Sequence, residues 1–333
     1  MLANNCLQCW LIAPANPRAN LKTNKGKKMK TKKQLNSEAV AILQRLANGE
    51  TINDIETPGF TPPASIKLLG SSVKIEKGHS IGIHSSILYL APSDSAAIMR
   101  KGKRLNVCPW ATKYCRSACL GLKAGQMVWK SNFNSRLWKT ALYFAAPTLF
   151  MQILENEIVS VIAKAKKKSM VAAIRLNGTS DLNWLKYDLP SKYPDAQFYE
   201  YSKSPGRVAK FDGKLKNYHL TYSANSNPGS STVARQALDK GLSVAAIVPK
   251  DLLLDENSYD LRSDEPIFHT QQSELVNKVC GGDRSLTYVR NGDDSDARFL
   301  DKGSKDGNGT IIFLKIKGGR KNLETMGRDV FYV

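Results

Sequence analysis

The sequence lacks any apolar run of about 18 residues, so we expect no helix that spans a membrane. It holds only six cysteines in 333 residues, which excludes the disulfide-dense scaffold of a small secreted protein. This scarcity favours a reducing cytoplasm, where some cysteines serve as metal ligands. We also find no internal repeat of fixed period, which argues against a solenoid.

Acidic residues are scarce relative to basic ones. The chain has 29 Asp and Glu against 49 Lys and Arg, a formal net charge of +20. Such an excess favours a polyanionic partner, either nucleic acid or a nucleotide. Hydrophobic residues make up 42% and charged residues 23% of the chain, a balance typical of a globular protein rather than a disordered one.

The first 35 residues are interpreted as a disordered basic leader. Its first 28 residues contain five Lys or Arg and no acid. Either this segment is a basic arm that touches nucleic acid, or translation starts at Met29, and the Lys-rich sequence around Met29 favours the second interpretation. Cys6 and Cys9 form a CxxC pair here, but no βαβ pattern surrounds them, and we interpret the pair as incidental.

Residues 36–65 are expected to form a helix, starting at Ser37, followed by a proline-rich linker. Residues 66–333 are expected to form one α/β domain, because short apolar runs alternate with helix-like stretches. Helices are predicted over 122–145, from Pro147 onward and over 232–240. Strands are predicted over residues 72–75, 82–90, 170–176, 197–201, 218–222, 242–248, 285–289 and 310–316.

A complete eight-fold barrel needs about 250 residues, and only five or six strands are clear in the second half of the chain. We therefore predict an α/β fold with a partial (βα) barrel, a largely parallel sheet and a small β/helical extension at the N-terminus. Ligands of parallel α/β folds bind at the carboxyl ends of the strands. Polar or charged residues follow the predicted strands at 175–181, 200–204, 222–227, 249–250 and 291–298.

The last of these segments is acidic, with Asp293, Asp294 and Asp296. It lacks the full ligand spacing and the terminal glutamate of an EF-hand loop. We interpret it as a turn, or as carboxylates that hold an arginine or a substrate hydroxyl, rather than as a metal site.

The strongest motif is a cluster of three cysteines, Cys108, Cys115 and Cys119, with the spacing C-x6-C-x3-C. Structural zinc usually needs a fourth ligand, and no histidine follows closely. Three thiolates with one open position are typical of a [4Fe–4S] cluster that binds an external ligand at its fourth iron. Cys280 is a further candidate ligand that only the fold could bring near, and three unligated cysteines remain the alternative.

Several blocks of the chain resemble a bacteriophage family of unassigned function, the gene-product-eighty-eight type. The resemblance runs in order over residues 66–320 and leaves out the first 28 residues. The blocks that carry it are residues 88–92, 106–120, 175–181, 198–203, 217–223 and 292–299.

That family is similar in layout to another phage group, regarded as radical-SAM-like. The resemblance implies a [4Fe–4S] cluster on Cys108, Cys115 and Cys119, with S-adenosylmethionine at the open iron as the source of a hydrogen-abstracting radical. The spacing departs from the usual C-x3-C-x2-C of radical SAM enzymes, and no plain Gly-Gly-Glu motif is present.

Under this enzyme hypothesis, the cofactor's amino and carboxylate groups are held by Asn177, Ser180 and Asp181, with Asn225 as a further cofactor-binding residue. Catalytic roles are assigned to Asn177, Asp181, Lys203, Asp293, Asp296 and Arg298.

Two other functions compete. The first is a non-catalytic nucleic-acid-binding protein with a structural metal, because basic residues flank the cysteines and alternate with Trp110, Tyr114 and Trp129. The second is a zinc hydrolase or deaminase, which is disfavoured because no HxE partner accompanies the cysteines. As a phage protein, the chain is expected in the cytoplasm of the bacterial host.

Overall fold

The computed structural model describes residues 30–71, 76–123, 125–248, 277, 279–281, 288–292, 296–301 and 309–315. The leader with Cys6 and Cys9, the strand predicted at 72–75, and Asp293 with Asp294 lie outside the described residues.

The first helix, α1, covers Lys32–Ala47 and starts five residues before the predicted Ser37. Its N-cap is Thr31, whose hydroxyl accepts a hydrogen bond from the Gln34 amide while the Gln34 side chain accepts one from the Thr31 amide. This reciprocal capping box satisfies the backbone amides of Thr31 and Gln34 and so stabilises the earlier beginning of the helix.

The remaining helices are short, apart from two that are consecutive in the chain. They are α2 (Lys113–Ser117), α3 (Leu120–Lys123), α4 (Lys130–Ala145), α5 (Pro147–Lys167), α6 (Leu189–Lys192), α7 (Pro205–Lys210) and α8 (Ser230–Asp239). Among the described helices, none is both long and apolar enough to cross a bilayer.

Eleven strands are present in the described residues. They are β1 (Ile55–Glu56), β2 (Leu69–Gly70), β3 (Ile83–Leu88), β4 (Met99–Arg100), β5 (Lys103–Arg104), β6 (Val171–Arg175), β7 (Ala196–Ser202), β8 (Tyr218–Ser223), β9 (Ser243–Val248), β10 (Tyr288–Asn291) and β11 (Thr310–Lys315). Strands β1, β4 and β5 form a small antiparallel sheet, in which β1 precedes the predicted α/β domain and β4 and β5 belong to it.

The main sheet has the strand order β10-β11-β9-β8-β7-β6-β3-β2. Every pair is parallel except β2 with β3, so the predicted α/β class and largely parallel sheet are confirmed. Strands β3, β6, β7, β8 and β9 are neighbours in chain order, as in a βα barrel. Within the described strands the sheet stays open, because its outer strands β2 and β10 do not pair with each other.

The predicted helix over 122–145 begins too early, since α4 starts at Lys130 after α3 and a 3-10 turn at Gly125–Val128. Gly121 explains the interruption. A Cβ there would lie 3.0 Å from Cγ2 of Thr179 and 3.1 Å from Cγ of Pro92, so the chain at 120–123 packs tightly on the loops that follow β6 and β3 instead of extending α4.

One face of the sheet forms the main core with α5, which packs on β3 and β6. Phe150, Leu154 and Ile158 of α5 are fully buried with Ile174 and Phe198 of the sheet. The loops that follow β3, β6, β7 and β8 lie together at the carboxyl edge of the sheet, because these strands are parallel. The cysteine segment lies at that edge.

Gly178, three residues after the end of β6, allows the loop after β6 to pack closely against β3. A Cβ at position 178 would lie 2.5 Å from Cγ2 of Ile87 and 2.7 Å from the carbonyl oxygen of Leu88. The Gly178 amide donates to that same carbonyl at 3.0 Å. No side chain fits between the strand-end loop and β3.

We predict that Gly178→Ala lowers the free energy of unfolding by about 1–3 kcal/mol, because the extra methyl overpacks this contact. Gly59→Ala is the matched control, since nothing lies within 4 Å of a Cβ at that exposed glycine. Urea denaturation measures both. Equal midpoints for the two variants would contradict the close approach.

Candidate metal centre and the polar network beside it

Cys108 is held between the segments that follow β3 and β6. The amide of Ser93 donates to its sulfur at 3.2 Å, and the thiol lies 3.5 Å from the carbonyl oxygen of Thr179. The neighbouring residue Val107 donates its amide to Ser93 and accepts the amide of Asp181 at 2.8 Å. The first cysteine is thereby fixed at the carboxyl edge of the sheet.

Cys115 and Cys119 follow on α2 and just before α3. The hydroxyl of Thr112 caps α2 by accepting from the Cys115 amide at 3.0 Å. The amides of Leu122 and Lys123 donate to the Cys119 carbonyl oxygen at 2.9 Å, and the backbone N–H groups of Gly121 and Leu122 act to lower the pKa of the Cys119 thiol. Backbone N–H groups therefore act on the sulfurs of Cys108 and Cys119, an effect that favours thiolate over thiol.

The three cysteines are close enough to influence one another. Burial raises the pKa of Cys108 to about 12, and the charges of Cys119, Cys115 and Asp181 add to the rise. Burial also raises the pKa of Cys119, with Cys115 contributing. Near neutral pH these two groups are thiols unless a cation binds them.

The donor set fits a thiolate-bound metal in its chemistry: three sulfurs, all half-buried, on one irregular segment. The three sulfurs do not converge on one point. Among the described residues, no three His, Cys, Asp or Glu side chains lie close enough together to share a metal ion. Cys280 is fully buried, and its carbonyl oxygen accepts from the guanidinium of Arg235 of α8 at 2.8 Å.

Arg136 of α4 is the most unusual group near the cysteines. Arg136 is 2% exposed. Its guanidinium donates to the sulfur and the carbonyl oxygen of Met127 at 2.8 and 2.9 Å. No carboxylate of the described chain lies within ion-pair distance of it, and its Nε has no hydrogen-bond partner there. Cys119 is the first of the negative groups that act on its pKa.

Asn177, after β6, is fully engaged in holding its own loop. Its amide nitrogen donates to the carbonyl of Leu182 at 2.9 Å and to a carboxylate oxygen of Glu200. Its oxygen accepts from Ser180 Oγ, the Leu182 amide and Trp184 Nε1 at 2.9–3.0 Å. Asn177 and Ser180 thus shape the strand-end loop, and their predicted contact with a cofactor remains a prediction.

Asp181 joins the loops after β6 and β7. One oxygen accepts from Ser202 Oγ at 2.7 Å and the other from the Lys203 amide at 2.9 Å. Arg207 of α7 lies 3.4 Å from the first oxygen and also pairs with Glu200. This buried network lies beside Cys108, because the Asp181 charge acts on that thiol.

Glu200 is the second carboxylate of the network and is 4% exposed. It accepts from Arg207, from Asn177 and from the Tyr218 hydroxyl at 2.7 Å. Burial is the largest cause that raises the pKa of Tyr218, followed by the Glu200 charge. One guanidinium therefore pairs with both carboxylates of the network.

Lys203 and Asn225 also lie at this edge. The Lys203 ammonium donates to Ser223 Oγ at 2.6 Å. The Asn225 amide donates to the Tyr222 hydroxyl and the Ser223 carbonyl at 3.2 and 3.1 Å, which closes the turn after β8.

Asp296 and Arg298 belong to a separate cluster on the opposite face of the sheet. Asp296 pairs with Arg175 at 2.8 Å, and the Arg175 guanidinium lies over the Tyr201 ring. Arg298 is fully buried, 3.4 Å from Asp301. The predicted site residues thus form two groups, since Asn177, Asp181 and Lys203 lie with the cysteines and these two do not.

Sequence reasoning missed Arg136 and Arg207. Arg136 carried no clear signal, because eight of the sixteen residues of α4 are polar or charged. Arg207 carried none, because its two carboxylates come from other segments of the chain.

We predict that Arg207→Met destabilises the protein by about 3–5 kcal/mol, because it leaves Glu200 and Asp181 buried without their counter-charge. Adding Glu200→Gln to this variant should restore part of the loss. Lys214→Met is the control, since its pair with Asp212 is exposed, and its urea midpoint should not move. An unchanged midpoint for Arg207→Met would contradict the network.

Comparison with known proteins finds no curated protein and no solved structure that matches the chain. A family model described as Gene product 88 matches residues 67–325. This region contains the cysteine segment and the whole main sheet from β2 to β11, and it agrees with the resemblance found over residues 66–320. The chain therefore belongs to the gene product 88 family.

Proposed function

We propose that the protein is an iron–sulfur enzyme, radical-SAM-like, that acts on a phosphate-bearing substrate. Cys108, Cys115 and Cys119 would hold a [4Fe–4S] cluster at the carboxyl edge of an open, partial βα barrel. The chain-order pairing of β3, β6, β7, β8 and β9 supports that barrel form. The observation that carries the proposal is the buried guanidinium of Arg136, which has no carboxylate partner among the described residues and whose pKa is influenced by Cys119.

A buried cation without a carboxylate partner costs several kcal/mol of stability unless another anion neutralises it. Three thiolates carry more negative charge than a [4Fe–4S] core carries positive charge, so the complete centre is an anion. Its sulfurs would supply the counter-charge that the described carboxylates do not give Arg136. Backbone amides on Cys108 and Cys119 would stabilise the same negative charge.

An open iron lets such a cluster bind the amino and carboxylate groups of S-adenosylmethionine and supply the electron that cleaves it. The residues of the chain would hold the reactants. Asp181 lies beside Cys108 and is fixed by Ser202 and the Lys203 amide. Lys203 presents a cation at the same edge and is suited to a substrate phosphate.

Asn177 and Ser180 would act as positioning residues, because their polar groups are occupied within the loop. Asn225 would shape the neighbouring turn. The predicted catalytic roles of Asp296 and Arg298 would require the substrate to reach the opposite face of the sheet, whereas Asp293 lies outside the described residues.

A second candidate function is a metal-stabilised nucleic-acid-binding protein without turnover. The exposed rings of Trp110, Tyr114 and Trp129 around the cysteines favour it. Release of 5′-deoxyadenosine from S-adenosylmethionine by the reduced protein discriminates the two, because only the enzyme forms it.

We predict that the protein purified without oxygen is brown and contains about four irons per chain. Changing Cys115 to Ala should remove the visible absorption and most of the iron. Cys280→Ala is the matched control and should keep both, since Cys280 lies against α8. A colourless protein with zinc, or iron that survives Cys115→Ala, would contradict the proposal.

We predict that Arg136→Met has opposite effects on the two forms of the protein. The apoprotein should be as stable as the parent or more stable, because a buried unpaired charge is replaced by an apolar side chain. Reconstituted protein should hold less iron and have a lower cluster reduction potential, because the counter-charge is gone. Urea denaturation, iron analysis and potentiometry measure these effects.

Lys139→Met is the control on the same helix, since Lys139 is also buried but donates to the Leu68 carbonyl at 2.9 Å. It should destabilise the apoprotein and leave the cluster potential unchanged. Equal potentials for Arg136→Met and the parent would rule out a cluster beside Arg136.

A further inference from the structure

The chain has a long stretch without any acidic residue. From residue 95 to residue 154 there is no Asp or Glu, while ten Lys and Arg occur there. Eight of these cations are exposed, and only Arg136 and Lys139 are buried. The stretch contains all three cysteines of the proposed centre, so the proposed ligands lie within a purely basic segment of the chain.

The same stretch exposes large apolar side chains. Half of the ten exposed large hydrophobic residues in the described chain fall between positions 110 and 129. They are Trp110 (42% exposed), Tyr114 (40%), Leu120 (51%), Val128 (52%) and Trp129 (57%). We call these five residues, with the exposed cations Lys113, Arg116, Lys123 and Lys130, the aromatic–basic surface.

The rings of this surface have no stacking partner in the described residues. Trp110, Tyr114 and Trp129 make no aromatic or cation–π contact there, whereas Trp184 is stacked on Phe150. Lys113, Arg116, Lys123 and Lys130 likewise have no carboxylate partner within the described part of the chain. Rings and charges are both left available to an external ligand.

One class of ligand satisfies both features. Phosphates bind exposed Lys and Arg side chains, and unpaired bases stack on exposed aromatic rings. A double helix offers phosphates but keeps its bases stacked inside, so it would use the cations and leave the rings in water. A single strand uses both.

We infer that the aromatic–basic surface binds single-stranded nucleic acid. Trp110 follows Cys108 by two residues, and Tyr114 directly precedes Cys115, so a bound strand would lie next to the cysteine centre. That this strand is the substrate rests on the proposed function, whereas the binding itself does not.

Fluorescence anisotropy of a labelled single strand of about 16 nucleotides tests the binding with the full chain. The parent should bind the single strand more tightly than the duplex of the same sequence. Trp110→Ala and Trp129→Ala should each weaken single-strand binding by about tenfold and leave duplex binding unchanged. Ile81→Ala, an exposed apolar residue outside the surface, is the control.

The cations are tested by salt dependence between about 50 and about 200 mM. Replacing Lys113, Arg116 and Lys123 with Gln should reduce the slope of log affinity against log salt by about 2, at about 0.7 per phosphate contact. The matched control replaces Lys164, Lys166 and Lys167 with Gln. These exposed residues end α5, which leads into the amino end of β6, and their loss should leave the slope unchanged.

Three outcomes would overturn the inference. Equal single-strand and duplex affinities with neutral Trp variants would mean non-specific charge attraction. Vesicles of anionic lipid that bind through Trp110 and Trp129, with no oligonucleotide binding, would mean a membrane-facing surface. Absence of any salt-dependent binding of oligonucleotides would mean that the basic residues of this surface do not bind nucleic acid. Comparison of DNA and RNA strands distinguishes the two sources of the ligand.

The two proposals fail separately. The Cys115→Ala protein should bind the single strand as the parent does, because the rings and cations do not depend on the metal. A protein that binds the strand but holds no iron would overturn the proposed function alone. A protein that holds iron but does not bind the strand would overturn this inference alone.

Discussion

The contact between the cysteine segment and the loops after β3 and β6 determines where Cys108 lies relative to the buried polar network of Asp181. The bond from the Asp181 amide to the Val107 carbonyl, at 2.8 Å, joins the polar network to the residue before Cys108. Gly178 and Gly121 permit this contact, because a Cβ at either would meet the neighbouring segment. A parallel sheet gathers its strand ends at one edge, and here the cysteine segment covers that edge.

Charge is unevenly distributed around this contact. On one side Arg207 lies between two buried carboxylates, Glu200 and Asp181. On the other side Arg136 is buried with no described carboxylate to pair with it. The first arrangement is a closed ion-pair network that stabilises the fold. The second arrangement leaves the Arg136 charge without a described counter-ion, and an anionic metal–thiolate centre at Cys119 would supply one.

The sheet was largely predictable, because each parallel strand is a short apolar run bounded by polar residues, as at 170–176 and 242–248. The cysteine motif was recognisable from its spacing, and the polar residues after the strands were expected at the carboxyl edge from the general rule for parallel sheets. The boundaries of the helices were less predictable than the strands. Thr31 rather than Ser37 caps α1, and the chain packs tightly at Gly121, between the predicted and the observed start of the following helix. The pairing of Arg207 with Glu200 and Asp181, and the separation of Asp296 from the cysteines, depend on tertiary contacts that no local pattern encodes.

The central claim is that three cysteines hold an iron–sulfur cluster whose fourth iron is open. Electron paramagnetic resonance of the anaerobic, reduced protein with and without S-adenosylmethionine tests it most directly. The account predicts a cluster signal that changes on addition of S-adenosylmethionine, because the ligand binds the open iron. A protein without a cluster signal, or a signal that S-adenosylmethionine does not alter, would contradict it.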